Sequence, residues 1–113
     1  MNGAEIASFA VSTIKPLLQR LLDKLGRSWD EVEYFLFHQA NPAFVQRLAG
    51  AYRLPLEKVP IGLAEIGNTC SATLPMLLEE CVQARRFQPG DRLLLAGFGV
   101  GYSWAATALE WRA

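Results

Sequence analysis

Apolar and polar positions along the chain alternate with two periods. Ile6, Phe9, Ala10 and Ile14 recur at helical spacing between Ala4 and Ile14, and Pro16 is expected to break or restart that helix. Leu17, Leu18, Leu21, Leu22 and Leu25 continue the pattern until Gly26 stops it. Ser28, with Glu31 three residues later, carries a capping-box signature for a short helical turn over Trp29 to Val32. Tyr34 to Phe37 is an apolar run of strand length, and Pro42 suits the first turn of a helix with Phe44, Val45, Leu48 and Tyr52 on one face. Pro55 and Pro60 bracket a connector, and Ile61 to Ile66 is read as a brief extended piece. From Ser71 to Arg86, Leu74, Leu77, Leu78, Cys81 and Val82 share one side of a helix whose first turn tolerates Pro75. Pro89-Gly90-Asp91 is a turn, Leu93 to Phe98 a continuous apolar strand of the buried kind, and Tyr102 to Trp111 an alternating one. The chain thus reads as helix, strand, helix, short strand, helix and two strands, an α/β order without repeat or interdomain linker.

Composition narrows the picture. A chain of 113 residues holds at most one domain, with an apolar share of 51% and a charged share of 19% that suit a buried, layered core. Eleven basic residues balance eleven acidic ones without runs, which leaves no electrostatic footprint for nucleic acid or an anionic membrane. Cys70 and Cys81 have no metal-type spacing, and the start at Met1-Asn2-Gly3 lacks an export signal; both fit a reducing, cytoplasmic setting. The run from Leu93 to Trp111 is long enough to span a bilayer, but its three glycines and its polar residues favour two strands over a membrane helix.

Three stretches carry candidate chemistry. Phe35-Leu36-Phe37-His38-Gln39-Ala40-Asn41-Pro42 ends an apolar strand on the only histidine, the usual address of a site in a layered α/β protein. Ile66-Gly67-Asn68-Thr69-Cys70-Ser71 is a second punctuated stretch, and Gly97-Phe98-Gly99-Val100-Gly101 is a glycine-rich turn between two apolar runs. Taken singly, each has a plain structural reading: a hydrogen-bonding histidine, a helix cap at Asn41-Pro42, a turn at Gly67-Asn68, and a tight strand connection. The glycine turn is no phosphate cradle, because a strand rather than a helix follows it.

Taken together, they resemble the C-terminal half of a thiolase-fold condensing enzyme, most closely a 3-oxoacyl-(acyl carrier protein) synthase III. The residues that carry the resemblance are His38-Gln39-Ala40-Asn41, Gly67-Asn68-Thr69 before a helix with Pro75, Pro89-Gly90-Asp91 before an apolar strand, and Phe98-Gly99-Val100-Gly101-Tyr102-Ser103-Trp104. The opening Met1-Asn2-Gly3-Ala4-Glu5, with Phe9-Ala10-Val11, is similar to the segment that precedes these motifs, so nearly the whole chain is covered. The resemblance implies a mixed sheet flanked by helices, a partial C-terminal thiolase-like domain over residues 1–113. It also implies a Cys-His-Asn site in which His38 and Asn68 are catalytic and a cysteine of the N-terminal half takes an acyl group from CoA. Malonyl-carrier protein is then decarboxylated and condensed in fatty acid or polyketide-type biosynthesis. Ala40, Asn41 and Phe98 are implied to contact substrate, and the backbone of Gly99 and Val100 to line the acyl oxyanion hole. CoA and carrier-protein thioesters are substrates in this family, no resident cofactor or metal is implied, and a homo-oligomer without nucleic acid or membrane is expected.

Several positions depart from the family pattern. Ala43 stands where many relatives carry an arginine for carrier docking, with Arg47 one helical turn later. Val100 replaces the middle glycine of the loop, and Cys70 stands where a small residue such as serine is usual. Cys70 precedes a helix, where a thiolate is favoured, yet the matching nucleophile of the family is expected outside this chain. Nothing here resembles the N-terminal half or the first strand or strands of the C-terminal half, so an unpaired sheet edge and an uncovered apolar helix face are expected. Two readings follow: the His- and Asn-bearing part of a synthase, inactive alone, or a non-catalytic half-domain that binds a synthase or itself through its open edge.

Overall fold

The structure is a computed structural model, and it describes residues 3–39, 42–62, 73–99 and 103–112. Helix α1 runs over Gly3–Leu25, strand β1 over Tyr34–Phe37, helix α2 over Pro42–Ala51, helix α3 over Thr73–Gln83, strand β2 over Arg92–Gly99 and strand β3 over Ser103–Glu110. One-turn 3-10 helices at Trp29–Glu31 and Leu56–Lys58 fill two connectors. The sheet order is β1-β2-β3, with β1 parallel to β2 and β3 antiparallel to it. It is a mixed sheet between helical layers, as expected for a part of the thiolase fold.

Strand alternation decides which layer each side chain joins. Phe35, Phe37, Leu94 and Ala96 are buried with Ala10, Ile14, Leu18 and Leu22 of α1 and with Val45, Leu48 and Ala49 of α2. Leu36 and Leu93 face the other way, against Leu77 and Cys81 of α3 and against Phe87. Ala10, Ile14, Leu18 and Leu22 recur every fourth residue, so α1 needs one continuous stripe rather than two helices.

That stripe explains why α1 does not break at Pro16. Pro16 lies on the exposed face, as does Ser12, whose carbonyl loses its helical partner, so water replaces the missing bond at small cost. Other expectations need smaller corrections. The turn after Ser28 ends at Glu31, and Val32 is buried in the core. Its capping box is present: the Ser28 N–H donates to Glu31 Oε1 at 3.0 Å. The 3-10 turn at Leu56–Lys58 went unread between its flanking prolines. Val82, placed on the apolar side of α3, is 38% exposed: Cys81 beside it packs against Leu36 and Leu93, and Val82 lies at the margin of that face. The extended piece expected over Ile61 to Ile66 lies outside the described residues beyond Gly62.

Candidate active site

Parallel pairing brings the carboxyl ends of β1 and β2 together, and the antiparallel β3 starts at that same end of the sheet. His38 lies there. Its N–H donates to the Ala96 carbonyl at 3.0 Å, which extends the β1–β2 ladder one residue past the strand and fixes the backbone that carries the imidazole. The side chain is half-buried, and desolvation holds the imidazole below its ordinary pKa, so its neutral form is favoured. A neutral imidazole is a directional N–H donor that brings no full charge.

Gln39 turns inward instead. Its carboxamide Nε2 donates to the Phe37 carbonyl at 2.7 Å, and its Oε1 accepts from the Gly62 N–H at 3.3 Å. The connector after Pro60 is therefore held against the residue next to His38. On the neighbouring strand, Phe98 pairs with Trp104 and Gly99 with Ser103, so the described part of the glycine-rich stretch, Gly97 to Gly99, lies at the His38 end of the sheet. Leu74, in the first turn of α3, approaches β2 there as well: a Cβ on Gly97 would meet Leu74 Cδ1 at 3.6 Å.

Among the residues expected to form the site, His38, Phe98 and Gly99 thus come to one end of one sheet. Ala40, Asn41, Asn68 and Val100 lie outside the described residues, as does Cys70. Asn68 belongs to the sequence between Gly62 and Leu74, and both of those flanks are held at or beside the described end of the sheet. Ala43 is exposed on the first turn of α2, and Arg47 is exposed with its guanidinium donating to Ser8 Oγ at 3.2 Å. Cys81 is core, and burial raises its thiol pKa, with Arg86 opposing and Glu80 adding to the shift. Among the described residues no group of three or more His, Cys, Asp or Glu side chains is arranged to hold a metal ion. Within the same residues, no helix is long and apolar enough to cross a membrane. Gln39 is the residue whose role the sequence reading missed. Its signal was an uncharged amide two residues past an apolar strand, where burial obliges both ends of the amide to find partners.

The model of the 3-oxoacyl-[acyl-carrier-protein (ACP)] synthase III C-terminal family matches residues 22–111. The chain belongs to that family. Beta-ketoacyl-[acyl-carrier-protein] synthase III of Pyropia yezoensis is 38% identical over 111 residues, which cover 98% of this chain and 34% of the relative. The synthase III of a Synechococcus species is 41% identical over 112 residues, or 99% of this chain and 33% of the relative. Among solved structures, a 3-oxoacyl-(acyl-carrier-protein) synthase III superposes with a TM-score of 0.93 at 37% identity, over 98% of this chain and 33% of that one. The Pseudomonas aeruginosa synthase III also gives 0.93, at 31% identity over 100% of this chain and 36% of that one. This synthase III C-terminal chain therefore spans about a third of the length of the relatives it matches.

Proposed function

We propose that this chain supplies the histidine and asparagine of a β-ketoacyl-(acyl carrier protein) synthase III, an acyltransferase that condenses a CoA-derived acyl group with a malonyl thioester. The observation that carries this reading is His38: a half-buried, neutral-favoured imidazole at the carboxyl end of β1, beside the glycine-rich end of β2, in a chain of this family. A synthase partner half contributes the cysteine. Its thiolate attacks the acyl-CoA carbonyl, CoA thiolate leaves, and an acyl-enzyme remains.

Malonyl-carrier protein then enters, and the bond between its carboxylate carbon and its α-carbon breaks. Carbon dioxide departs, and the electron pair moves onto the thioester as an enolate. His38 and Asn68 each direct an N–H at the thioester oxygen. Neutral donors suit this step because they gain strength as charge develops, rather than holding the ground state equally well. The enolate carbon attacks the acyl-cysteine carbonyl, whose oxygen is met by backbone N–H groups of the Gly99-Val100 loop, and the cysteine thiolate leaves. Ala40, Asn41 and Phe98 line the substrate path. The chemistry needs no metal or organic cofactor, and its setting is the cytoplasm, in fatty acid or polyketide-type synthesis by a homo-oligomeric enzyme. With Ala43 in α2, carrier docking relies on other cations of that surface, Arg47 among them.

The test is reconstitution: the chain is combined with the N-terminal half of a synthase III, and decarboxylative condensation is measured. Turnover that falls at least a hundredfold in His38→Ala is the expected result. Turnover unaffected by that substitution would overturn the reading.

A second reading rests on the outer edge of β3, which pairs only with β2 among the described residues and carries Leu109 and Trp104 at 43% and 40% exposure. In that reading the chain is a non-catalytic half-domain that binds a synthase or itself through the edge. Stable association without turnover would favour it.

A further inference from the structure

The reaction proposed above leaves the chemistry of Gln39 unused, although Gln39 is the residue next to His38. It is 4% exposed, the buried polar residue of the described core, and both ends of its carboxamide are engaged. The bond to the Phe37 carbonyl is local and sets the side-chain rotamer on the rigid end of β1. The bond from Gly62 is long-range and spans 23 positions of sequence. On its other flank Gly62 meets α3: a Cβ there would lie 2.6 Å from Glu80 Oε2. Gly62 thus stands between the strand end that bears His38 and the Glu80 side chain of α3.

Packing does not account for an amide at this position. A methionine would fill nearly the same volume without needing partners, whereas a buried amide is costly unless both its donor and its acceptor are satisfied. What the amide adds is a fixed connection between two segments. We propose that Gln39 is a positioning residue that fastens the end of β1, with His38, to the connector backbone at Gly62, so that the imidazole is held in one place. The catalytic consequence rests on the function proposed above; the tether itself does not.

Two variants test it. Gln39→Met removes both hydrogen bonds at nearly constant volume, and Gln39→Glu retains an oxygen that accepts from Gly62. Backbone amide exchange is followed residue by residue in the 113-residue chain. Malonyl decarboxylation is followed in the reconstituted enzyme, with kcat and KM determined separately. In Gln39→Met, exchange at Gly62 is expected to rise about three- to tenfold, the range of one net hydrogen bond, while the amides of Leu18 and Leu94 stay unchanged. In the same variant kcat falls about tenfold or more with KM within about twofold, since a misplaced donor affects the charged transition state more than binding. Gln39→Glu keeps the acceptor for Gly62 and so protects that amide better than Gln39→Met does, but it loses the donor to the Phe37 carbonyl and kcat stays below wild type.

Unchanged Gly62 exchange in Gln39→Met, or a rise shared equally by all of β1, β2 and α1, would overturn the tether. A full kcat in Gln39→Met beside a loosened Gly62 would overturn the positioning role. A reconstituted wild type without turnover would count against the proposed function, and Gly62 exchange would still decide the tether.

Discussion

His38 is half out of water at a strand end, and that position sets its chemistry. Burial disfavours the imidazolium, so the folded-state pKa lies below the ordinary value of 6.5 and the ring is a neutral donor at physiological pH. The same cause pushes the Tyr52 phenol up to about 12, where it remains a donor to the Val11 carbonyl at 2.7 Å. The linkage for His38 has a definite sign. Between the depressed folded pKa and the unfolded value the unfolded chain binds more protons, so stability rises with pH through that window. Conversely, stability is lost as pH falls from about 6.5, and the loss is complete below the folded pKa. Because the chain has one histidine, a proton NMR titration follows this ring without assignment, and its midpoint is expected below that of a model imidazole. His38→Gln should flatten the corresponding part of the stability–pH curve in urea unfolding. A midpoint at or above 6.5 would mean that the ring is not desolvated.

Helices α1, α2 and α3 end in the same way, with a residue in the left-handed region and a pair of backbone bonds that reach back into the last turn. In α1 the residue is Gly26, with φ +67, and Arg27 N–H donates to the Leu22 carbonyl while Gly26 N–H donates to Asp23. In α2 and α3 the corresponding residues are Arg53 and Arg85, with φ of 57 and 56, where a side chain is strained and glycine is not. Arg53→Gly and Arg85→Gly should each stabilise the chain by about 1 kcal/mol in denaturant unfolding, and a loss of stability would show that the arginine contacts outweigh the strain. These ends also show what the sequence could reveal. Gly26 announced the stop of α1, whereas nothing in Arg53 or Arg85 marks a cap. The two long strands and the apolar helix faces were legible because burial imposes their periods. Pro16 misled because a proline signals a broken bond, not which way that bond faces; the stripe from Ala10 to Leu22 overrides it. Val82 misled for a different reason: it lies at the margin of the apolar side, about 100° around the helix from Cys81, and Cys81 is the one that packs on the sheet. His38 and the glycine-rich hairpin were legible as motifs. Gln39 stands within one of them without a legible role, because its partner Gly62 is distant in sequence and only the fold brings them together.

With a radius of gyration of 13.4 Å, the chain is as compact as a packed domain of its length, about 13 Å. Yet it spans about a third of its relatives, and its described surface leaves Val82, Leu109 and Trp104 exposed around α3 and β3. These side chains are already more than half buried, so covering what remains against a second half would add about 1 kcal/mol each. The reconstituted enzyme allows the most direct test of the central claim, that His38 and Asn68 act together on one thioester oxygen. The measurement is malonyl decarboxylation by the wild type, His38→Ala, Asn68→Ala and the double variant. Each single substitution should lower kcat by about 10²–10³, and the double should fall close to the worse single, as residues acting as one unit do. Near-wild-type rates in either single variant, or a double variant that loses the product of the two, would contradict it.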